Sequence, residues 1–221
     1  MIAKEELNIL WSLEQTAKKY EDRVAVSDVN QELTWKGLVK KAQVIGAELS
    51  KKVQPGNPIP VLLEKSSETL AVMLGIVYAG CFYVPVNPMN PAERLRKIME
   101  KLEPEVIISD EKGKEQLEAV GVGLEEKVIG PETLLPTTGT DLSEEQRSKL
   151  EQIQGQWKET DALYGIFTSG STGTPKAIVV SHGAVSRFVR HFTEIFEITS
   201  EDVIGNQAPF DFDVSVKDIY S

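Results

Sequence analysis

The chain has 221 residues with 24 basic and 34 acidic side chains, a net charge of −10, which argues against any partner held by bulk positive charge, nucleic acid above all. Hydrophobic residues at 41% and charged residues at 26% fit a globular chain with a sizeable core, and exclude intrinsic disorder, collagen-like repeats and a disulfide scaffold. No apolar stretch approaches the roughly 18 residues that span a bilayer, and Met1 to Leu10 is acidic where a secretory signal is basic, so a cytoplasmic protein with no membrane insertion is expected.

Charge is uneven along the chain: residues 1–110 carry 14 basic and 15 acidic groups, 111–160 carry 6 and 11, and 161–221 carry 4 and 8. The acidic middle, punctuated by Gly121, Gly123, Gly130, Pro131, Pro136 and Gly139, reads as solvated surface connections around short elements. The single cysteine, Cys81, lies among Val77, Tyr78, Phe82, Tyr83 and Val84 and reads as a small buried hydrophobe. There is no internal repeat.

In chain order, Val24 to Val29 and Glu32 to Trp35 flank Asn30 and Gln31 as a small hairpin at the edge of the fold. Leu38, Ala42, Ile45 and Leu49 recur at helical spacing, and the segment Val53 to Gly56 stops that helix before a buried strand, Ile59 to Leu63. Ser67 and Glu68 open a second, largely apolar helix through Tyr78, which ends at Gly80 ahead of the strand Phe82 to Val86. Asn90 as N-cap with Pro91 at the first helical position predicts a third helix, Ala92 to Leu102, closed by Pro104 before a strand at Val106 to Ser109. Ser143 and Gln146 form a capping-box pattern for a helix to about Gln154. Continuous apolar strands alternating with helices predict an α/β fold, a layered parallel or mixed sheet with helices on both faces. Sheet order stays open.

The most informative segment runs from Leu163 to His182, where two apolar runs enclose Thr168-Ser169-Gly170-Ser171-Thr172-Gly173-Thr174-Pro175-Lys176. Glycines permit close backbone approach, so successive N–H groups can face one concavity, and five hydroxyls and an ammonium add donors for oxyanions. That chemistry suits a polyphosphate. Gly170 and Gly173 are too close for a Walker loop, and the β-like run after Lys176 means the loop joins two strands and does not cap a helix. A plain flexible hairpin would account for the glycines but not for the concentration of hydroxyls and the lysine.

These residues resemble the adenylate-forming (AMP-binding) enzymes, and within them the amino-acid-activating branch: adenylation domains of nonribosomal peptide synthetases and D-alanine to carrier-protein ligases. Phe167 to Lys176 is similar to the signature phosphate loop. Leu33-Thr34-Trp35 with Leu38, Tyr78 to Val86 with Asn87, Pro88 and Pro91, and Asn206 to Ser215 resemble further core motifs, so the likeness covers the whole chain. Two small departures are Ala177 where glycine is usual and Asn87 where aspartate is usual.

The resemblance implies that residues 1–221 form a partial N-terminal AMP-binding domain, with the second half of the large domain and the small domain that carries the catalytic lysine lying beyond Ser221. It implies ATP and Mg²⁺, an amino acid activated to an aminoacyl-adenylate, and transfer to the phosphopantetheine thiol of a carrier protein. Thr168, Ser169, Gly170, Ser171, Thr172, Gly173 and Lys176 would hold the phosphates. Asp213, beside Phe212, would pair with the substrate ammonium, against the alternative that it only N-caps the helix following it. Lys217, one helical turn on, would line the side-chain pocket, where a lysine is compatible with an acidic substrate. Asp211 reads as surface. His182 reads as the cap of a helix that also holds His191; neither belongs to a metal constellation. Two other readings remain open: an acyl- or aryl-CoA synthetase, which has no use for a buried carboxylate at Asp213, and a non-catalytic nucleotide-binding module.

Overall fold

The computed structural model describes residues 5–121, 123–135, 141–168 and 175–221. After a short 3₁₀ turn, Glu5–Leu7, helix α1 (Ile9–Lys19) begins at Asn8, whose side chain accepts from the Leu10 N–H at 2.9 Å. The hairpin follows as β1 (Val24–Ser27) and β2 (Glu32–Thr34), which pair antiparallel in a two-stranded sheet of their own and not on an edge of the main sheet. Thr34 caps α2 (Trp35–Leu49) through its Oγ1, which accepts from Gly37 at 3.1 Å.

The main sheet is built from β3 (Pro58–Leu62), β4 (Phe82–Pro85), β5 (Ile107–Ser109), β6 (Val128–Ile129), β7 (Ala162–Thr168) and β8 (Lys176–Ser181). Its order is β6-β5-β3-β4-β7-β8, parallel from β6 to β7 and antiparallel at β7–β8. Helix α3 (Ser67–Tyr78) connects β3 to β4; α4 (Ala92–Leu102) returns across the other face to β5, and α5 (Glu111–Val120) continues to β6. The antiparallel last strand requires only the short connection from Thr168 to Lys176 instead of a helical crossover.

Alternation along the strands divides the core. Ile59, Val61, Tyr83, Ile108, Leu163 and Ile166 pack with α1, α2, α3, α6 (Glu144–Gly155) and α7 (His182–Ile195). Leu62, Val84 and Ile107 face α4 and α5 through Leu95, Ile98, Met99 and Leu117. Helix α3 is apolar on every side because it is sandwiched between α2 and the sheet, and all but one of its residues are buried. Its contact with α2 is exceptionally close: a Cβ on Gly75 would lie 2.4 Å from Ile45 Cγ2, and one on Gly46 would lie 2.5 Å from Tyr78 Cβ. Glycine is present at both positions because the two backbones leave no room for a side chain.

Element ends refine the sequence reading. Ser66, not Ser67, caps α3, its Oγ accepting from Thr69 at 3.1 Å. Pro91 holds the N-cap position of α4, and its carbonyl takes the N–H groups of Arg94 and Leu95 at 2.9 and 3.0 Å. Asn90 is engaged one turn earlier, donating its N–H to Asn87 O at 3.0 Å, so it does not cap the helix. The capping box at Ser143 and Gln146 forms in full. Cys81 is buried, and burial pushes its thiol up to about 11, which leaves it inert. Helices α1 and α5 and the short strand β6 were not anticipated.

Replacing Gly75 with valine is expected to lower unfolding stability by about 1–3 kcal/mol through overpacking, whereas Gly155→Ala, at a helical position with nothing within 4 Å of the new Cβ, should be neutral or gain up to about 1 kcal/mol. Urea denaturation of the two variants beside the parent chain measures both; equal effects would contradict the close-contact account.

Candidate functional site

Of the cavities among the described residues, two lie at opposite ends of the sheet. One, of about 180 Å³, opens at the carboxyl ends of β3 and β4, lined by Leu63, Lys65, Asn87, Met89, Phe210 and Asp211 among others. The chain leaves β3 in one direction for β4 and then crosses back past β3 to β5, so this cleft sits where the sheet's connections reverse, the usual ligand position in an open α/β sheet. The carboxyl end of β7 lies on the same side, delivering Thr168 to the loop, and the ladder pairs Thr168 directly with Lys176 at the start of β8. Residues 169–174, and with them Ser169, Gly170, Ser171, Thr172 and Gly173, lie outside the described residues. The two residues that frame the loop are therefore across the ladder from one another, as a strand-to-strand loop requires.

Around this end, several polar groups hold backbone. Arg94 on α4 donates to Phe167 O at 3.1 Å, pinning the last turn of β7 before the loop. Lys65 donates to three consecutive carbonyls, Asn206, Gln207 and Ala208, at 2.8, 3.3 and 3.4 Å. It thereby ties the end of β3 to the irregular segment leading to Asp211 and Asp213. Neither residue stands out in the sequence, since an isolated arginine or lysine carries no spacing signal. Asp211, expected on the surface, lines the cleft instead: burial raises its pKa, while Asn87 and Arg94 nearby pull it down.

Beyond Asp213 the chain forms a last short helix, α8 (Ser215–Tyr220). Ser215 Oγ donates to Phe212 O at 2.7 Å, and Tyr220 meets Tyr83 hydroxyl to hydroxyl at 2.9 Å. Tyr83 in turn stacks on Tyr164 with ring centroids 6.0 Å apart, so a buried tyrosine cluster beneath the sheet end supports α8. The Asp213 side chain does not cap this helix; Val214 holds the N-cap position and makes no side-chain cap bond. Asp213 is exposed, and its charge reaches Tyr164, whose pKa is raised first by burial and then by that carboxylate. Phe212 is 56% exposed. Lys217 is within one turn of Asp213, but its ammonium is engaged by Asp218 and lies 5.9 Å from the centre of the Phe192 ring.

The second cavity, about 440 Å³, opens at the amino ends of β4 and β7 and is lined by Cys81, Trp157, Asp161 and His182 among others. It is larger but lies away from the loop, and its histidine is structural. Ser181, not His182, caps α7, its Oγ accepting from Ala184 at 3.3 Å. His182 is the first helical residue, 3% exposed; its Nδ1 accepts from the Ile9 N–H at 3.4 Å and its ring meets Trp157 edge-on. Burial pushes its pKa down to about 4, against a smaller opposing pull from Asp161. His191 lies on the exposed side of α7. Among the described residues no helix is long and apolar enough to cross a membrane.

A doubly covered, mostly parallel sheet, with a glycine- and hydroxyl-rich sequence after the carboxyl end of one strand, places the chain in the α/β class. The sequence profile of the AMP-binding enzyme family matches residues 13–221, and the chain belongs to that family. It is 30% identical over 208 residues to tyrocidine synthase 1 of Brevibacillus parabrevis, covering 94% of this chain and 18% of that synthase. It is 30% identical over 212 residues to bacitracin synthase 1 of Bacillus licheniformis, covering 94% of this chain and 4% of that synthase. Among solved structures, the nonribosomal peptide synthetase FmoA3 in its AMPPNP-bound form superposes with a TM-score of 0.79 at 25% identity, covering 97% of this chain and 21% of that one. VinN in complex with L-aspartate superposes at 0.80 and 22% identity, covering 96% and 59%. The chain thus spans less than a fifth of the curated synthases it matches here and somewhat over half of VinN.

The buried, neutral His182 makes a pH prediction. Its folded pKa is depressed from about 6.5, so the unfolded chain binds the extra proton and folding is penalised as pH falls from about 6.5 toward 4. Above pH 7 both states are neutral and the penalty vanishes. Between pH 7 and 4.5 the parent chain should lose about 2 kcal/mol more than the variant His182→Gln, which keeps an acceptor for the Ile9 N–H. Urea unfolding at the two pH values measures this; parallel losses would refute the neutral-histidine assignment.

Proposed function

We propose that the chain contributes the nucleotide and amino-acid sites of an AMP-forming ligase, which activates an amino acid to an aminoacyl-adenylate for transfer to a carrier-protein phosphopantetheine thiol. The observation that carries this reading is the direct pairing of Thr168 with Lys176 across β7 and β8, which frames the hydroxyl and glycine sequence at the sheet end where the cleft lined by Phe210 and Asp211 opens. Family membership and the synthetase relatives support it.

In this reading Thr168, Ser169, Gly170, Ser171, Thr172, Gly173 and Lys176 surround the β- and γ-phosphates of ATP. The substrate carboxylate oxygen forms a bond to the α-phosphorus as the bond from that phosphorus to the bridging oxygen breaks, and pyrophosphate leaves with the electron pair. Negative charge accumulates on the departing group, so donors held around it would lower the barrier. Arg94 acts through the backbone, holding the strand that launches the loop. Mg²⁺, when bound with the nucleotide, would supply charge neutralisation on the phosphates that Thr168 and Lys176 would help to hold.

Asp213 supplies the carboxylate for the substrate ammonium. Its backbone carbonyl accepts from Val216 at 3.1 Å, fixing the start of α8, while its side chain is left free of any capping bond. That freedom favours an amino-acid substrate over an acyl or aryl acid, which brings no cation for it. The substrate is a small or polar amino acid, D-alanine included.

Two variants of the whole enzyme separate the roles in ATP–pyrophosphate exchange. Lys176→Ala should slow exchange by about a hundredfold or more, as for loss of a transition-state donor of about 2.7–4 kcal/mol. Asp213→Asn should raise the KM for the amino acid by about tenfold to a hundredfold with the KM for ATP little changed. An unchanged rate in the first variant, or a KM effect on ATP alone in the second, would contradict the assignments.

A further inference from the structure

Lys65 sits where the chain turns from β3 into α3, on backbone held from both sides. Thr69 Oγ1 donates to Glu64 O at 2.6 Å, and Ser66 Oγ accepts the Thr69 N–H at 3.1 Å. From that base the Lys65 ammonium donates to Asn206 O, Gln207 O and Ala208 O at 2.8, 3.3 and 3.4 Å. An ammonium has three protons, one for each carbonyl. Its neighbour Glu64 is taken by Lys112 at 3.1 Å, so the charge of Lys65 is directed at the carbonyl dipoles. The backbone it holds has little else: between Val203 and Ala208 no backbone N–H finds an acceptor among the described residues, and the three carbonyls accept from no other described group. Just beyond, Pro209, Phe210 and Asp211 line the cleft together with Lys65, and the Phe212 N–H closes a turn onto Pro209 O at 3.2 Å before Asp213.

We infer that Lys65 is a positioning residue for the amino-acid site: its ammonium is a tethered cation that gathers three consecutive carbonyls and so sets where Asp213 stands. This rests on the amino-acid-activating reading above. Carbonyl oxygens turned toward one point form a cradle for a monovalent cation, and without a cation at its centre they repel one another and turn to water. Here the cation is covalently attached to the turn after β3, so the cradle is filled as the chain folds. Asp213 stands five residues beyond Ala208, and the intervening Pro209 has a fixed φ, so a shift of the cradle carries forward to the carboxylate. The end of β7 is fastened separately, by Arg94 on Phe167 O. Loss of Lys65 therefore falls on the amino acid and not on ATP.

The test is ATP–pyrophosphate exchange by the whole enzyme, with KM measured separately for its best amino acid and for ATP. Lys65→Ala should raise the amino-acid KM by about tenfold or more and leave the ATP KM within about twofold. Propylammonium chloride returns the atoms that the substitution removes and should restore most of the loss. Neither 1-propanol, which has no charge, nor tetramethylammonium chloride, which has no N–H, should do so at the same concentration. Lys65→Arg keeps the charge and the donors and should stay within about threefold of the parent. In an Asp213→Asn background Lys65→Ala should add less than about threefold, because the carboxylate it positions is already gone. Where Lys65→Ala does not fold, Lys65→Met, which keeps the stem, is measured in its place with the same KM rise expected. An amino-acid KM at the parent value, rescue by propanol equal to that by propylammonium, or the full loss on top of Asp213→Asn overturns the inference. Asp213→Asn with the parent's amino-acid KM overturns the amino-acid-activating reading and this one together, whereas an Asp213→Asn effect without a Lys65→Ala effect overturns this one alone.

Discussion

The close approach of α2 and α3 through Gly46 and Gly75 is the constraint on which the rest of this structure depends. Helix α3 is the crossover between β3 and β4, the two strands whose carboxyl ends form the cleft. Being apolar all round, it has no preferred solvent face to orient it. The interlocked glycines settle its distance from α2, with Ile45 and Tyr78 filling the space on either side. Capping fixes its other degree of freedom: Ser66 holds the first turn, and Asp28 from the hairpin accepts the Ser67 N–H at 2.7 Å. Those backbone donors hold the Asp28 carboxyl far below the ordinary carboxylate range, so the hairpin remains tied to α3 at neutral pH. With α3 located, Leu63 to Lys65 and Val86 to Met89 leave the sheet at defined points.

The backbone around the cleft is then held by single polar fasteners. Lys65, Arg94 and Ser215 each bind carbonyls of segments that belong to no helix or to a strand about to end. Such bonds are individually modest, but they act where no ladder exists to hold the backbone, so each positions a group otherwise free to move. The tyrosines Tyr83, Tyr164 and Tyr220 do the corresponding task beneath α8, giving the segment around Asp213 and Lys217 a rigid base. Charge is arranged by the same economy. Asp213 is left without a capping duty, whereas the Lys217 ammonium contacts the carboxylate of its neighbour Asp218.

What could be read from the sequence was what short-range physics decides. Alternating apolar runs and helical periodicity anticipated β3, α3, β4, α4 and β5 within a residue or two, and the Ser143 and Gln146 pair anticipated the start of α6 because a capping box is closed within four residues. The strand-to-strand character of the loop ending at Lys176 was legible from the β-like residues that follow it. Helices α1 and α5 were missed although Asn8, Asp110 and Gly121 are usable end signals. Strand order, the burial of Asp211, the reach of Lys65 across more than a hundred residues and the pairing of Lys217 with Asp218 all depend on tertiary placement. No local pattern encodes them.

The central claim is that this sheet end handles an amino acid through the ammonium as well as the carboxylate. The most direct measurement compares ATP–pyrophosphate exchange by the whole enzyme for its best amino acid and for the α-hydroxy acid of the same side chain and configuration. The predicted result is that the hydroxy acid, which has a carboxylate but no cation for Asp213, is used at least about a hundredfold less efficiently. Equal use of the two acids would contradict it.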